Sequence, residues 1–458
     1  VSELGLSIVD SAIQADQAEL QTSAENIANA QTPGYARETV QLGAYYPAEP
    51  NGVGGGVQTL GVSQMASGLL DANLRAAQAA NGYATEMQTI TSSVENLFPE
   101  PSQSGLQAQL SHLWSDLTKL AADPGSQALD QTVVTDAQTV TSTLNQTANG
   151  LGQLTSQLET ELGAPSASSS GVLVEANQLL SEVASLNTQI TAGQGGGQDT
   201  NALIDQRRAD LSQLATLVGT TTRQESNGSM TVWLGGVTLV ENGTAESLQA
   251  TGGGGTTPLG VQTSLGTPVE PGGQAGAILE AVNTTIPGIQ SQLDGVAAAL
   301  AGQLNTLQAA GLDASGLQQA TTFFTGTTAS TIALNPSLVA NPTWLATAAG
   351  PPANPLGTPT LDGSNAAQMA AVANAPGGPD QLYQALVGDV GTLAQAASGQ
   401  ATTATTIETQ AKSAVENVSG VSTNNEALVA MQAEKAFEAA SKVAGTIAQA
   451  LDSLLAAV

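Results

Sequence analysis

Residues 24–37 read AENIANAQTPGYAR, the point at which an apolar helical stripe gives way to a turn. Upstream, Leu6, Ile13, Leu20 and Ile27 recur at intervals of seven and are flanked by Val9, Ala12 and Ala24. One narrow face of a helix is therefore apolar and forms a seam for another helix. Beyond Ile27 the pattern stops. Asn29 tolerates a left-handed cap, Pro33 cannot continue a helix, and Gly34 permits a positive φ, so the chain is expected to turn sharply near Tyr35. Periodicity by itself fits an ordinary amphipathic helix with an ordinary stop equally well.

The other end of the chain supplies a complementary pattern. Phe437, Ala440, Ala444, Ile447, Leu451, Leu454 and Val458 alternate at intervals of three and four, which is a second heptad seam. Alanines there allow close helix approach, and the outer faces carry few charges. The expected partner is the N-terminal seam, with the paired termini then packing against copies of themselves.

Between these ends the texture changes in steps. Residues 37–65 alternate loosely around glycines and prolines and predict an extended arm or irregular hairpin. From Leu69 to about Val218 the period is helical, with Leu106, Leu110, Leu113, Leu117 and Leu120 on one face. Breaks at 99–101, 123–125, 165–171 and 193–197 predict four or more helices. Met230, Val232 and Leu234, then Gly235-Gly236, then Val237, Leu239 and Val240 predict a two-stranded hairpin. Helical patterning returns from Gln274 to about Leu312 and from Ala366 to the end, while 316–362, with Phe323, Phe324 and several prolines, suits a small β-rich or irregular unit completing the earlier hairpin.

The fold class expected is mainly α with a smaller β-rich part: a helical bundle and a coiled coil made by both termini, with an inserted small β domain. The segments 1–36 and 421–458 form the terminal coiled coil. Residues 37–219, 276–312 and 363–420 form the helical bundle with its arm, and 220–275 with 313–362 the β-rich outer part.

Composition narrows the function. Nine basic residues against 38 acidic ones give a formal charge of -29, so nucleic acid and anionic membrane surfaces would be repelled. Cysteine is absent, which removes disulfides, thiolate metal sites and a cysteine nucleophile. Charged residues are 10% and aromatics 3%, so stability must come from many small contacts. The N-terminus has no basic region followed by an apolar run and a cleavage site, and no uninterrupted apolar stretch reaches about 18 residues, so neither a cleaved signal nor a membrane span is expected.

No constellation argues for catalysis. Ser111, His112 and Asp116 can be grouped, but neighbours one helical turn apart usually make a weak surface pair, and no nucleophile elbow is present. Asp199, Asp205 and Asp210 lie around Arg207 and Arg208 and read as a solvated, ion-paired helix face, not a calcium loop. No cofactor and no metal site is expected.

The 24–37 string, with Asn26, Asn29, Pro33, Gly34 and Tyr35, resembles the N-terminal signature of bacterial flagellar axial proteins, the rod, hook and hook-associated subunits. Further blocks are similar to the hook-associated members: GVGGGVQTLGVSQMASGLLDANLR at 52–75, LIDQRRADLSQLATLVG at 203–219, the 272–313 run, 323–338, and SGVSTNNEALVAMQAEKAFEAASKV within 418–455. Ala36 and Glu38 depart from the usual signature, and 324–366 is too short for a large extra outer domain.

The resemblance implies a non-enzymatic structural subunit of the extracellular flagellum, exported by the flagellar type III system, forming the first hook-associated ring and joining hook to filament. It implies self-association into a ring of about eleven copies. Partners implied are the flagellar hook protein, a second junction protein (hook-associated protein 3) and an export chaperone. Leu6, Val9, Ile13, Leu20, Ile27, Phe437, Ala440, Ala444, Ile447, Leu451 and Leu454 are the expected assembly interface. A hook or rod subunit, or a secreted adhesin, is the alternative.

Overall fold

The computed structural model describes residues 2–32, 34–45, 54–163, 170–255, 257–351 and 353–456. Helix α1 (Ser2–Asn29) leads into an antiparallel pair, β1 (Glu38–Ala44) and β2 (Val57–Gln64). Helices α2 (Gly68–Glu95), α3 (Leu106–Ala122), α4 (Gln127–Leu162), α5 (Val172–Gly195) and α6 (Asn201–Val218) follow. The predicted breaks at 99–101 and 123–125 fall between helices, whereas that at 193–197 begins inside the last turn of α5, which runs to Gly195. That at 165–171 lies mostly outside the described residues.

Strands β3 (Thr221–Gln224), β4 (Met230–Leu234), β5 (Val237–Glu241) and β6 (Thr244–Ala245) form one antiparallel sheet. Strands β7 (Leu248–Gly253), β8 (Thr257–Thr263) and β9 (Pro268–Val269) form another. The Gly235-Gly236 turn joins β4 to β5 with φ of 56° and 84°, the positive values a tight primed turn needs. Helix α7 (Gly273–Glu280) runs through a π-helical turn at Ala281–Thr285 into α8 (Ile286–Ala310), which admits Pro287 in the first turn of α8.

After α8 come the short pair β10 (Phe324–Thr325) and β11 (Ala333–Leu334), then α9 (Pro336–Ala340), α10 (Ser364–Ala371), α11 (Pro379–Ser419) and α12 (Thr423–Leu455). The sequence expectation is that 316–362, which contains the β10–β11 pair, completes the earlier hairpin. In the structure that pair forms its own sheet and packs on α4 and α8, while the β3–β9 strands lie against α5 and α2. Phe323 and Phe324, fully buried with ring centroids 4.8 Å apart, draw this segment into the helical core instead.

One large core runs through α2–α8 and both β regions. Long α11 lies antiparallel along α2, as Asn81 donating to Glu408 (2.6 Å) and Gln88 donating to Ser398 (3.3 Å) show. Ala84, Ala401 and Ala404 are buried in that interface and let the helices approach closely. Trp114 of α3 donates to Asp380 (2.8 Å) at the start of α11, fixing its far end.

Helical asparagines, of which Asn187 is fully buried, solve a recurring problem. A strand segment laid against a helix exposes backbone groups with no strand to receive them, and burying them unpaired is costly. Asn177, Asn187, Asn283 and Asn305 each accept from one backbone N–H and donate to the same residue's carbonyl, at Leu248, Met230, Leu259 and Phe324, all within 2.7–3.0 Å. Each amide stands in for a missing strand residue.

Candidate assembly site

The two chain ends form one element. α1 and α12 pack together and run antiparallel: a methyl on Gly5 would lie 3.5 Å from Ile447, and at the opposite end Asn26 donates to Glu426 (3.0 Å). On α12 the predicted residues Phe437, Ala440, Ala444, Ile447 and Leu451 are half-buried, whereas the positions between them are exposed. Ala433 and Glu426, which were not singled out from sequence, extend that line and are its most buried members. On α1, Val9 is buried, Ile13 and Leu20 are half-buried, and Leu6 and Ile27 are 36% and 40% exposed. Burial is deepest at Val9, Ala15, Thr22, Ser23 and Asn26, so the covered face is turned away from the Leu6–Ile27 line. Pro33 and the side chain of Leu454 lie outside the described residues.

The arm also lies along α1. Ser11 Oγ accepts from the Val57 amide (3.2 Å), and a Cβ on Gly56 would collide with Ser11. Part of the polar face of α1 is thereby covered by β1 and β2, an interaction invisible to a heptad count.

Where α1, the arm, α6 and the α11–α12 turn meet, the signature residues form a hydrogen-bonded hub. Asn26, 1% exposed, has all its capacity used: Oδ1 accepts from Tyr35 Oη and from the Glu38 amide (2.8 Å each), and Nδ2 donates to the Glu38 carbonyl (2.8 Å) and to Glu426. This is the same amide clamp that the core uses. Arg37 Nε donates to the other Glu426 oxygen (2.6 Å), and its backbone N–H donates to the Ser419 carbonyl (2.8 Å). Glu426 sits in the first helical turn of α12, where a negative charge is favoured.

On the other side, Asp205 of α6 receives hydrogen bonds from Gln64 (2.8 Å), the Ala36 amide (3.4 Å) and Arg208 (2.6 Å). Arg208 also donates to the Gly34 carbonyl (2.9 Å) and approaches Asp71 at 3.5 Å. Gly34 has φ 81°, and a Cβ there would press within 3.0 Å of the Asp205 carbonyl, so glycine meets both a backbone and a packing requirement. Asn29 does not take the left-handed conformation expected of it: Asn242 is the one non-glycine positive-φ residue among the described residues. Its side chain instead donates to the Glu25 carbonyl and accepts from Thr32.

The hub is electrostatically loaded. Burial, reinforced by the Asp199, Glu25 and Asp205 carboxylates and opposed by a hydrogen bond with Asn201, pushes the Glu38 carboxyl up to about 7. Burial and the same neighbourhood raise the Tyr35 hydroxyl, which keeps it a donor to Asn26. Burial also raises Asp205, partly offset by Arg208. The expectation of a solvated Asp/Arg face on 199–210 is overturned: Asp205, Arg207 and Asp210 are buried, because α6 is enclosed by α2, α5 and α7. Ion pairing was legible there, but enclosure was not.

Ser111 and His112 are exposed, and Asp116 pairs with Lys119. No metal-binding group of three or more ligands occurs among the described residues. No described helix is long and apolar enough to cross a membrane.

The α1–α12 pair thus closes around an inserted helical and β-rich body, a nested architecture. The model of the flagellar hook-associated protein FlgK helical domain matches residues 91–324, and the chain belongs to this family. Flagellar hook-associated protein 1 of Bacillus subtilis (strain 168) is 31% identical over 224 residues, covering 47% of this chain and 43% of the relative. That of Escherichia coli (strain K12) is 27% identical over 320 residues, covering 67% and 57%. The chain thus spans about half the length of the curated relatives it matches. The flagellar hook junction protein FlgK from Burkholderia pseudomallei shares the fold, with a TM-score of 0.63 at 16% identity over 76% of this chain and all of that one.

Proposed function

We propose that this chain is a non-catalytic structural subunit of the extracellular flagellum that forms the first hook-associated ring and joins hook to filament. The observation that carries this reading is the antiparallel α1–α12 pair, tied at its base to the signature hub, in a chain of the FlgK family. The exposed line of Leu6 and Ile27, with Leu428, Met431 and Val443 of α12, is the surface offered to neighbouring copies. The segments 1–36 and 421–458 are the inner tube, the helical body with the β10–β11 pair its wall, and the β3–β9 strands its exterior. Hook protein contacts one side, a second junction protein the other, in a ring of about eleven copies closed by heterologous contacts. Export through the flagellar type III channel, with a chaperone, suits terminal helices that order on docking.

The test is removal of residues 1–36 or of 436–458, followed by inspection of isolated hook ends. Both truncated forms are expected to leave those ends bare, with flagellin shed into the medium. Normal rings from both truncations would sink the proposal.

A further inference from the structure

Arginine is scarce in this chain, yet Arg75, Arg207 and Arg208 converge on one cleft of about 200 Å³ between α2, α6 and β3. Their charges are unevenly neutralised. Arg208 is spent on Asp205 and Asp71. Arg207, 2% exposed, donates to two neutral acceptors, Asn187 Oδ1 (2.8 Å) and the Gly228 carbonyl (2.9 Å). Arg75 is only 7% exposed, and among the described residues its guanidinium has neither a hydrogen-bond acceptor nor an ion-pair partner.

Thr222 lines the same cleft, and its buried hydroxyl also has no partner. Two donor groups of the lining therefore lack a hydrogen-bond partner, and Asp71 is the one carboxylate there against three arginines. Burying a guanidinium in that condition is costly. Desolvation depresses Arg75, opposed by the nearby Asp71 carboxylate and reinforced by Arg208, and desolvation with Arg208 brings Arg207 down to about 10. An acceptor carrying negative charge removes both deficits at once, and the planar fork of arginine suits an oxyanion.

We propose that this cleft is an oxyanion-binding site, in which Arg75 and the Thr222 hydroxyl hold a carboxylate or phosphate-class group. The group is either a free anion or an acidic side chain of a neighbouring copy. The site does not depend on the flagellar reading.

The experiment is titration calorimetry of the full chain with inorganic phosphate, and separately with acetate, against sodium chloride at matched ionic strength. Wild type and the exposed-site control Lys412→Gln are expected to bind alike. Arg75→Met is expected to weaken binding by about tenfold or more, and Thr222→Val, which keeps the charge and the shape, by a smaller factor. If Arg75→Met does not fold, as judged by circular dichroism, Thr222→Val decides. No binding by wild type, or unchanged binding by the folded variants, overturns the site. Phosphate that binds and also dissociates assembled copies assigns the occupant to a neighbour's carboxylate. Phosphate that binds and leaves assembly intact assigns it to a free anion. Either result upholds the site.

Discussion

At the scale of single residues, this fold depends on asparagines that replace strands. Asn187 is fully buried and engages the Met230 amide and carbonyl, the Asn242 carbonyl and Arg207. Asn187→Leu, which keeps the branched heavy-atom skeleton but cannot hydrogen-bond, leaves several of these groups unpaired in the core and is expected to lower stability by at least ~2 kcal/mol in urea titrations. A change within experimental error would show that water replaces the amide. Such asparagines are partly legible: Asn187 and Asn305 occupy core-facing positions of apolar helical runs, where a polar residue needs a reason. Which backbone each would meet is not, because the partners lie far along the chain.

Buried carboxyls give a second prediction at this scale. Asp130 is 4% exposed, one of its oxygens has no partner, and burial pushes it from 3.8 to about 7. The folded state thus holds a proton that the unfolded state releases near its ordinary value, so this group costs stability progressively as pH rises from about 4 to 7 and nothing further above that. Glu38 and Glu86, also raised to about 7, act in the same direction. Urea midpoints are expected to fall between pH 5 and 7.5, and Asp130→Asn to flatten that fall. A midpoint that rises with pH in both proteins would contradict this.

At the scale of elements, heptad counting located the two terminal helices and their mutual pairing, but the covered face of α1 is set by two neighbours. α12 takes one side, and the β1–β2 arm takes another through Ser11 and Gly56. No periodicity in 38–64 announces that docking, since it rests on a glycine allowing backbone to approach helix. Gly56 combines φ 101° with a Cβ position already filled by Ser11. Gly56→Val is therefore expected to detach the arm: limited proteolysis within 38–64 speeds up severalfold, while the urea midpoint of the helical core stays put. Unchanged arm cleavage would mean that the Ser11 contact does not hold it.

The helix at 201–218 teaches the opposite lesson. Its alternating acids and arginines look like solvent chemistry, and only the enclosing helices turn Asp205 and Arg207 into interior groups. Ion pairs are readable from spacing, whereas burial belongs to the tertiary arrangement.

At the scale of the whole molecule, a charge of -29 meets exposed apolar residues at the terminal pair. Copies repel over distance and attract on contact. Raising ionic strength shortens the screening length from ~30 Å at ~0.01 M to ~8 Å at ~0.15 M, so salt is expected to promote self-association in sedimentation velocity runs. Association that weakens with salt would mean that attraction between opposite charges dominates instead. The nested topology was legible because both ends carry matching seams. The separation of the two β regions was not, since Phe323 and Phe324 could have sealed either a sheet or a helical core.

The antiparallel closure of α1 on α12 also has a meaning in time. Helix α1 finds its mate only after the whole body between them has been made, because that mate is residues 423–455. A copy cut short before residue 423 can still build its central body, yet its opening helix stays unsheathed. Truncation is thereby expected to bare the side of α1 that α12 covers in the full chain, adding to the Leu6–Ile27 line that is exposed in both.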